Sequence, residues 1–421
     1  MGLDAGFLRL YYDAPDAPAQ RRLTGTVAAF AAAAATLLLA AVAASAPRLA
    51  RLLLGDEVPG GPTLLLLAAA DVYLGTFTFV PQALLRIRDR ALLFASLNAG
   101  RNLLNTALKV ALVVSGCGVP GVLLSDLLAT GAFALALLPL LFRNATWSFE
   151  GARLREVLRF GLPKAPHGLM LQLLNLGDRK ILEVFRDVAT VGVYDKAYVL
   201  GAGVKFGLSA FEPAWQPFVY AQIGKPEAPR TLARVVTYAW TGFTALALVI
   251  AVFGAELLRA LTFTNSAFWA GAPVVPVVAL AYLLHGAFLL TSIGIGISKD
   301  TRYYPRITLL AAAANLLANL ALVPEFGMMG AAWATVFAYA VMAASGFVLS
   351  HRLYAIPFEG ERLLRVLFAA GLSYMLSWFA PEPLVGALAF KLAACAAFPA
   401  VLMLSGFLSA EERAWLARRI A

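Results

Sequence analysis

Residues 23–46 read LTGTVAAFAAAAATLLLAAVAASA. The run carries no charge and is bracketed by Arg21 and Arg22 on one side and by Arg48 and Arg51 on the other. A helix needs about 20 consecutive apolar residues to cross a bilayer core, and the apolar part of a cleavable signal is shorter than this run. Further runs of the same kind come at roughly 63–85, 91–115, 121–142, 160–182, 189–220, 231–255, 270–297, 305–323, 328–350, 363–380 and 385–407. The reading is an all-α polytopic membrane protein with twelve spans. An amphipathic tail over 409–421 ends the chain.

Composition agrees. Of 421 residues, 61% are hydrophobic and 14% charged, with a mean hydropathy of +0.78. Soluble domains are about half apolar and a quarter charged. The net charge of +10 would suggest nucleic acid as a partner in a soluble chain. Here the cations gather in alternate connections, as the positive-inside rule describes, and no nucleic-acid partner is expected. Twenty-two Lys and Arg fall on the side that holds the N-terminus; Arg48, Arg51, Arg186 and Arg259 fall on the other. One misplaced central span would scramble that split, so it supports both the span count and cytoplasmic termini. Cys117 and Cys395 lie far apart, which gives neither a disulfide framework nor metal-ligand spacing. No phosphate loop, metal cluster or nucleophile triad occurs, so neither an enzyme nor a cofactor is expected.

The chain also repeats itself at an offset near 210 residues. Gly118-Val119-Pro120-Gly121 matches Gly327-Met328-Met329-Gly330, Arg88-Asp89-Arg90 matches Lys299-Asp300-Thr301, and Asn102-Leu103-Leu104 matches Asn315-Leu316-Leu317. Asp4-Ala5-Gly6-Phe7 resembles Glu212-Pro213-Ala214-Trp215. The matches are collinear and span an even number of helices, which makes a parallel repeat. The domains expected are an N-terminal lobe of four helices over 1–150, a C-terminal lobe of six over 151–355, and two additional helices with the tail over 356–421. The first copy lacks a counterpart of 157–209, so the chain is expected to begin two helices late, through a misplaced start or a natural truncation.

Several stretches resemble a known family. They are Arg159-Phe160-Gly161-Leu162-Pro163, Leu174-Asn175-Leu176-Gly177-Asp178-Arg179, Val191-Gly192-Val193-Tyr194-Asp195-Lys196-Ala197-Tyr198 and Ser209-Ala210-Phe211-Glu212-Pro213-Ala214-Trp215-Gln216-Pro217-Phe218. Together they resemble the polysaccharide (Wzx-like, O-antigen) flippases of the multidrug/oligosaccharidyl-lipid/polysaccharide (MOP) exporter superfamily. The opening residues 2–9 resemble the segment after that family's second helix. The resemblance implies a two-lobed MOP-type fold in the bacterial cytoplasmic membrane. It also implies alternating access, and a lipid-linked oligosaccharide on a polyprenyl diphosphate as cargo, for O-antigen, capsule or exopolysaccharide synthesis. Membrane lipids and a polysaccharide polymerase are the further partners it implies.

A charge at mid-bilayer costs roughly 2.5–3.5 kcal/mol on insertion scales, so such residues face water, find a partner or snorkel. Lys164 and His167 are three apart and share a face, with Pro163 and Pro166 bending the helix beside them. Arg101 and Lys109 lie eight apart on one face, with Asn98, Asn102 and Asn105 nearby. These four, with Lys196 and Lys205, are the candidates for a cationic cavity that holds diphosphate through charge-assisted hydrogen bonds. The competing readings are an interfacial anchor for Lys164, a pair with Glu212 or Asp195 for Lys205, helix–helix hydrogen bonding for Arg101 and Lys109, and snorkelling for Lys391. Asp71, Asp178 and Glu212 are candidates for ion coupling. Against that stand an Asp71–Arg101 pair and a local Asp178–Arg179 pair. His285 reads as a satisfied interhelical histidine. The rival functions are a multidrug or cation antiporter, which wants an acidic cavity, a membrane glycosyltransferase or ligase, which wants a large extracytoplasmic loop, and a non-functional fragment.

Overall fold

The computed structural model describes residues 2–54, 58–381, 384–408 and 412. Among these the regular structure is helical, with no strand. The elements are α1 (Gly2–Asp13), α2 (Ala17–Leu54), α3 (Gly61–Thr76), α4 (Phe79–Ile87), α5 (Ala91–Val114), α6 (Gly118–Asn144), α7 (Gly151–Gly161), α8 (Lys164–Phe185) and α9 (Val188–Gly201). They continue with α10 (Val204–Gln222), α11 (Ala228–Leu261), a 3-10 turn (Ser266–Gly271), α12 (Val274–Thr291), α13 (Ile293–Ile297), α14 (Tyr303–Phe326), α15 (Met328–Leu353), α16 (Gly360–Ser377) and α17 (Leu384–Leu404).

Each expected span has a helical counterpart, and three of them are broken. The stretch 63–85 is α3 and α4, 189–220 is α9 and α10, and 270–297 is α12 and α13. By length and apolarity alone, seven stretches can cross a membrane, with α14 and α15 joined as one of them. Among the helices that miss that criterion are α5, α8, α9 and α10, which carry most of the polar candidates. The tail expected over 409–421 lies outside the described residues except Glu412, which accepts from Arg362 at 3.1 Å.

The chain divides into two compact units, Met1–Leu162 and Pro163–Ala421. The expected boundary after Glu150 is displaced because α7 packs on α1. Leu154, Val157 and Phe160 form the buried stripe of α7, and its Arg155 and Arg159 are not part of it. The helices approach at Gly6, where a Cβ would sit 2.5 Å from the Val157 carbonyl oxygen. Phe7, Leu10, Tyr11, Leu23, Val27, Leu84 and Val157 make one core of this unit. In the second unit α12 packs on α15 and α11, and α14 on α15 and α8. Its core includes Phe288, Ile307, Ala311, Tyr339 and Met342.

The backbone carries the repeat. Asp89 and Lys299 are the non-glycine residues with positive φ among the described residues, at 54° and 62°. They are 210 positions apart, one place off the register that the Arg88-Asp89-Arg90 match suggests. Gly118 and Gly327, which the sequence repeat pairs, have φ of 52° and 54°. L-residues rarely adopt this region, so two hairpins that place it at corresponding turns share one design.

Candidate functional site

Helices α8, α9, α12 and α15 bring polar groups together in the second unit. Asp178 on α8 is fully buried. It accepts from the Tyr194 hydroxyl of α9 at 2.8 Å and from the Thr335 hydroxyl of α15 at 3.3 Å, both through Oδ2. Its Oδ1 is buried with no hydrogen-bond partner. Beside the electrostatic interaction of Asp178 with Arg179 expected from sequence, Arg179 makes a second, closer pair. Successive helical residues point about 100° apart, and Arg179 turns to Asp195, 2.5 Å away, with its guanidinium 4.8 Å from the Tyr198 ring centre.

An aromatic wall continues from the carboxylate. Tyr198 and Tyr282 bring their hydroxyls within 3.3 Å. The Tyr339 ring lies 5.8 Å from Tyr282 and stacks on His285 at 5.1 Å. His285 is not the satisfied histidine expected, since its Nδ1 is buried without a hydrogen-bond partner. The Lys205 charge acts on it.

Closer to the start of α8, Lys164 sits 4.8 Å over the Tyr304 ring. The His167 ring lies 5.4 Å from Tyr304 and 6.0 Å from Phe288, and its Nδ1 meets the Thr308 hydroxyl. Lys164 and His167 therefore share the face that spacing predicts, and both meet α14. The Glu212 charge acts on Tyr304. Lys205 is exposed on α10, and Asp195, one of the two partners expected for it, is engaged by Arg179. Lys196 is exposed on α9.

The first unit holds a separate polar seam. Arg101 of α5 donates to Thr130 of α6 at 3.0 Å, and its guanidinium lies 5.6 Å from the Phe133 ring centre. One turn on, Asn105 donates to Asp126 at 2.7 Å, and Lys109 pairs with the same carboxylate at 3.1 Å. Helix–helix bonding, the competing reading, thus engages both cations. The expected Asp71–Arg101 pair is absent; Arg101 is taken by Thr130, and Asp71 Oδ1 on α3 is buried with no hydrogen-bond partner. Lys391 does not snorkel but pairs with Glu256 at 2.7 Å.

The site also contains Tyr194, Tyr198, Tyr282, Tyr339 and Thr335, none of them expected from sequence. A signal was present. Tyr194 with Tyr198, Tyr282 with His285, and Thr335 with Tyr339 are three or four apart, so each pair aligns polar tips on one helical face. Among the described residues no group of three or more His, Cys, Asp or Glu could hold a metal ion.

Residues 16–204 match the polysaccharide biosynthesis protein family. A mutant of the Vibrio cholerae MATE transporter VcmN is similar in structure, with a TM-score of 0.72 and 16% identity over 83% of this chain and 84% of that one. A multidrug resistance MATE transporter of the MOP superfamily, in its outward-facing conformation, gives a TM-score of 0.68 and 16% identity, covering 85% and 84%. The chain shares the fold of these transporters. A superfamily member from Pyrococcus furiosus, described by the reverse polarity of its binding pocket, gives 0.69 and 16%, covering 84% of each. At such identity the structural likeness establishes the fold. No curated protein matches the chain by sequence. The MOP-type fold expected from the resemblance therefore holds, the polysaccharide biosynthesis match covers 16–204, and seven stretches are long and apolar enough to cross a membrane.

Proposed function

We propose that the protein flips a polyprenyl-diphosphate-linked oligosaccharide across the bacterial cytoplasmic membrane by alternating access, with both termini cytoplasmic. The observation that carries this reading is the set of cations and imidazoles on α8, α10 and α12 of the second unit. Lys164 and His167 line one face of α8, and Lys205 reaches His285 electrostatically. Such a set suits an anionic cargo, because cations bind phosphate oxygens through short charge-assisted hydrogen bonds. A cationic drug would gain nothing from it. The match of 16–204 to polysaccharide biosynthesis proteins points the same way, and the Pyrococcus transporter is a case of this fold with a pocket of reversed polarity. Asp178 is the coupling carboxylate: it is buried, hydrogen-bonded on one oxygen, and has the other open to a proton or cation.

The test is complementation of a strain that lacks its own flippase, with membrane levels of each variant checked by blot. A lost charge-assisted contact is worth roughly 1.5–3 kcal/mol, so Lys205→Ala should weaken cargo affinity about tenfold to hundredfold. Lys205→Arg should be milder and Lys205→Glu worse. Full complementation by Lys205→Glu would refute the cargo role. One observation favours a second reading: the carboxylate Asp178 with an open oxygen would also serve a cation-coupled drug antiporter like the MATE neighbours. Raised drug resistance in expressing cells, without complementation, would establish that reading instead.

A further inference from the structure

The second unit has a cavity of about 640 Å³ that the transport reading does not use. It lies where α11 and α16 end and where α12 and α17 begin. Its polar lining comprises Glu256, Arg259, Tyr374, Ser377 and Lys391, with Trp378 also on the wall. The volume is in the range of small-molecule sites, about 300–1,000 Å³.

The lining is unusual for its level in the chain. Arg259 is one of four Lys and Arg in the connections on the cation-poor side. Here it is joined by Lys391, a cation borne by a span. Lys391 is held by Glu256 at 2.7 Å with both side chains mostly buried, and the Arg259 guanidinium lies 5.5 Å from the Trp269 ring centre. With two cations and one carboxylate, the cavity carries a single net positive charge. That charge sits at the ends of four helices, where exposed Trp378 and Phe379 mark the headgroup level. On the lipid-facing side of α17, which contributes Ala387 and Lys391 to the cavity, Val385 and Leu392 are 79% and 61% exposed, and these apolar side chains can lie along an acyl chain.

We propose that this cavity binds the phosphate of an anionic phospholipid, with its acyl chains lying along α17. Arg259 supplies the fork that grips phosphate oxygens. Lys391, fixed by Glu256, adds a second donor, the Tyr374 hydroxyl serves the ester oxygens, and the Ser377 hydroxyl, which donates to the Tyr374 carbonyl at 2.6 Å, can accept from the glycerol hydroxyls. The single net positive charge matches the single negative charge of a phosphodiester. A sugar without phosphate would leave that charge unanswered.

The experiment is native mass spectrometry of the full chain in detergent, titrated with phosphatidylglycerol. Parallel arms use diacylglycerol with the same chains, glycerol 3-phosphate and a phosphate-free glucosyl diacylglycerol. Phosphatidylglycerol should bind, and diacylglycerol and glucosyl diacylglycerol should bind at least tenfold more weakly. Arg259→Gln, which leaves the Lys391–Glu256 pair intact, should weaken phosphatidylglycerol about tenfold or more. Ala387→Trp, which fills the cavity without touching a charge, should do the same. Wild-type melting temperatures for both variants show that the fold is kept. Equal binding of diacylglycerol, or no effect of either folded variant, would overturn the proposal. Tighter binding of the glucosyl lipid would overturn phosphate as the recognised group. Glycerol 3-phosphate binding as tightly as the lipid would overturn the lipid as its source.

Discussion

Tyr194→Phe isolates one hydrogen bond to a buried carboxylate. Tyr194 and Asp178 are both fully buried, 2.8 Å apart, and Thr335 offers Asp178 a longer contact at 3.3 Å. The ring of Phe fills the same space, so the substitution removes the donor and little packing. A hydrogen bond to a charged group contributes roughly 1.5–3 kcal/mol, and one between neutral groups about 0.5–1.5. With Asp178 ionised, Tyr194→Phe should cost the larger amount. In the Asp178→Asn background it should cost the smaller, which gives a coupling energy of about 1–1.5 kcal/mol. The assay is denaturant unfolding of the purified protein in detergent, run on all four members of the double-mutant cycle. A coupling energy near zero would refute an ionised Asp178 as the partner of Tyr194 and, with it, the case for Asp178 as the coupling group. Transport should show the same order, with Asp178→Asn worse than Tyr194→Phe.

Gly201 ends α9 where a Cβ would stand 2.6 Å from Val278 Cβ and 2.7 Å from the Val275 carbonyl oxygen of α12; Gly201→Ala should therefore cost roughly 1–3 kcal/mol by overpacking, seen as earlier unfolding in detergent. Lys391→Met leaves Glu256 unpaired and should destabilise by up to about 3–5 kcal/mol, while adding Glu256→Gln should restore most of that; unfolding of the single and double variants checks it. Burial and the Asp89 carboxylate push the Tyr12 phenol up from 10 to about 12. The folded chain thus holds this proton more tightly, so the contribution is complete below about pH 10 and is lost as pH rises from about 10 to 12; Tyr12→Phe should flatten stability over that window. Asp187 accepts from the Thr190 amide at 2.6 Å at the start of α9, which holds its carboxyl below the usual range. That contribution is present above the ordinary carboxylate value and is lost as pH falls through the depressed one; Asp187→Ala should remove the acid-side part of an unfolding profile.

The polytopic helical class was legible because lipid solvates neither bare backbone nor bare charge. Runs such as 23–46 must then be helices, and cations must collect between them. The repeat was legible because a glycine at a turn needing positive φ leaves a mark in sequence, as Gly118 and Gly327 do. Helix-face relations carried over too: Lys164 with His167, and Arg101 with Lys109, meet the same neighbouring helix in the structure.

What the sequence by itself determined was periodicity along each helix: which stretches are apolar and long enough for a membrane, which residues share a face, and where two copies correspond. Only the tertiary structure decided partners. Asp178 adjoins Arg179 in sequence, yet it is bonded to Tyr194 and to Thr335, which is 157 residues away; Asp71 and Arg101 do not pair, and Lys391 finds Glu256. The reason is geometric. A charge in a low-dielectric interior takes whichever partner the packing of another helix brings within about 3 Å, and which helix that is depends on how crossings are packed, a property that no window of one chain segment contains.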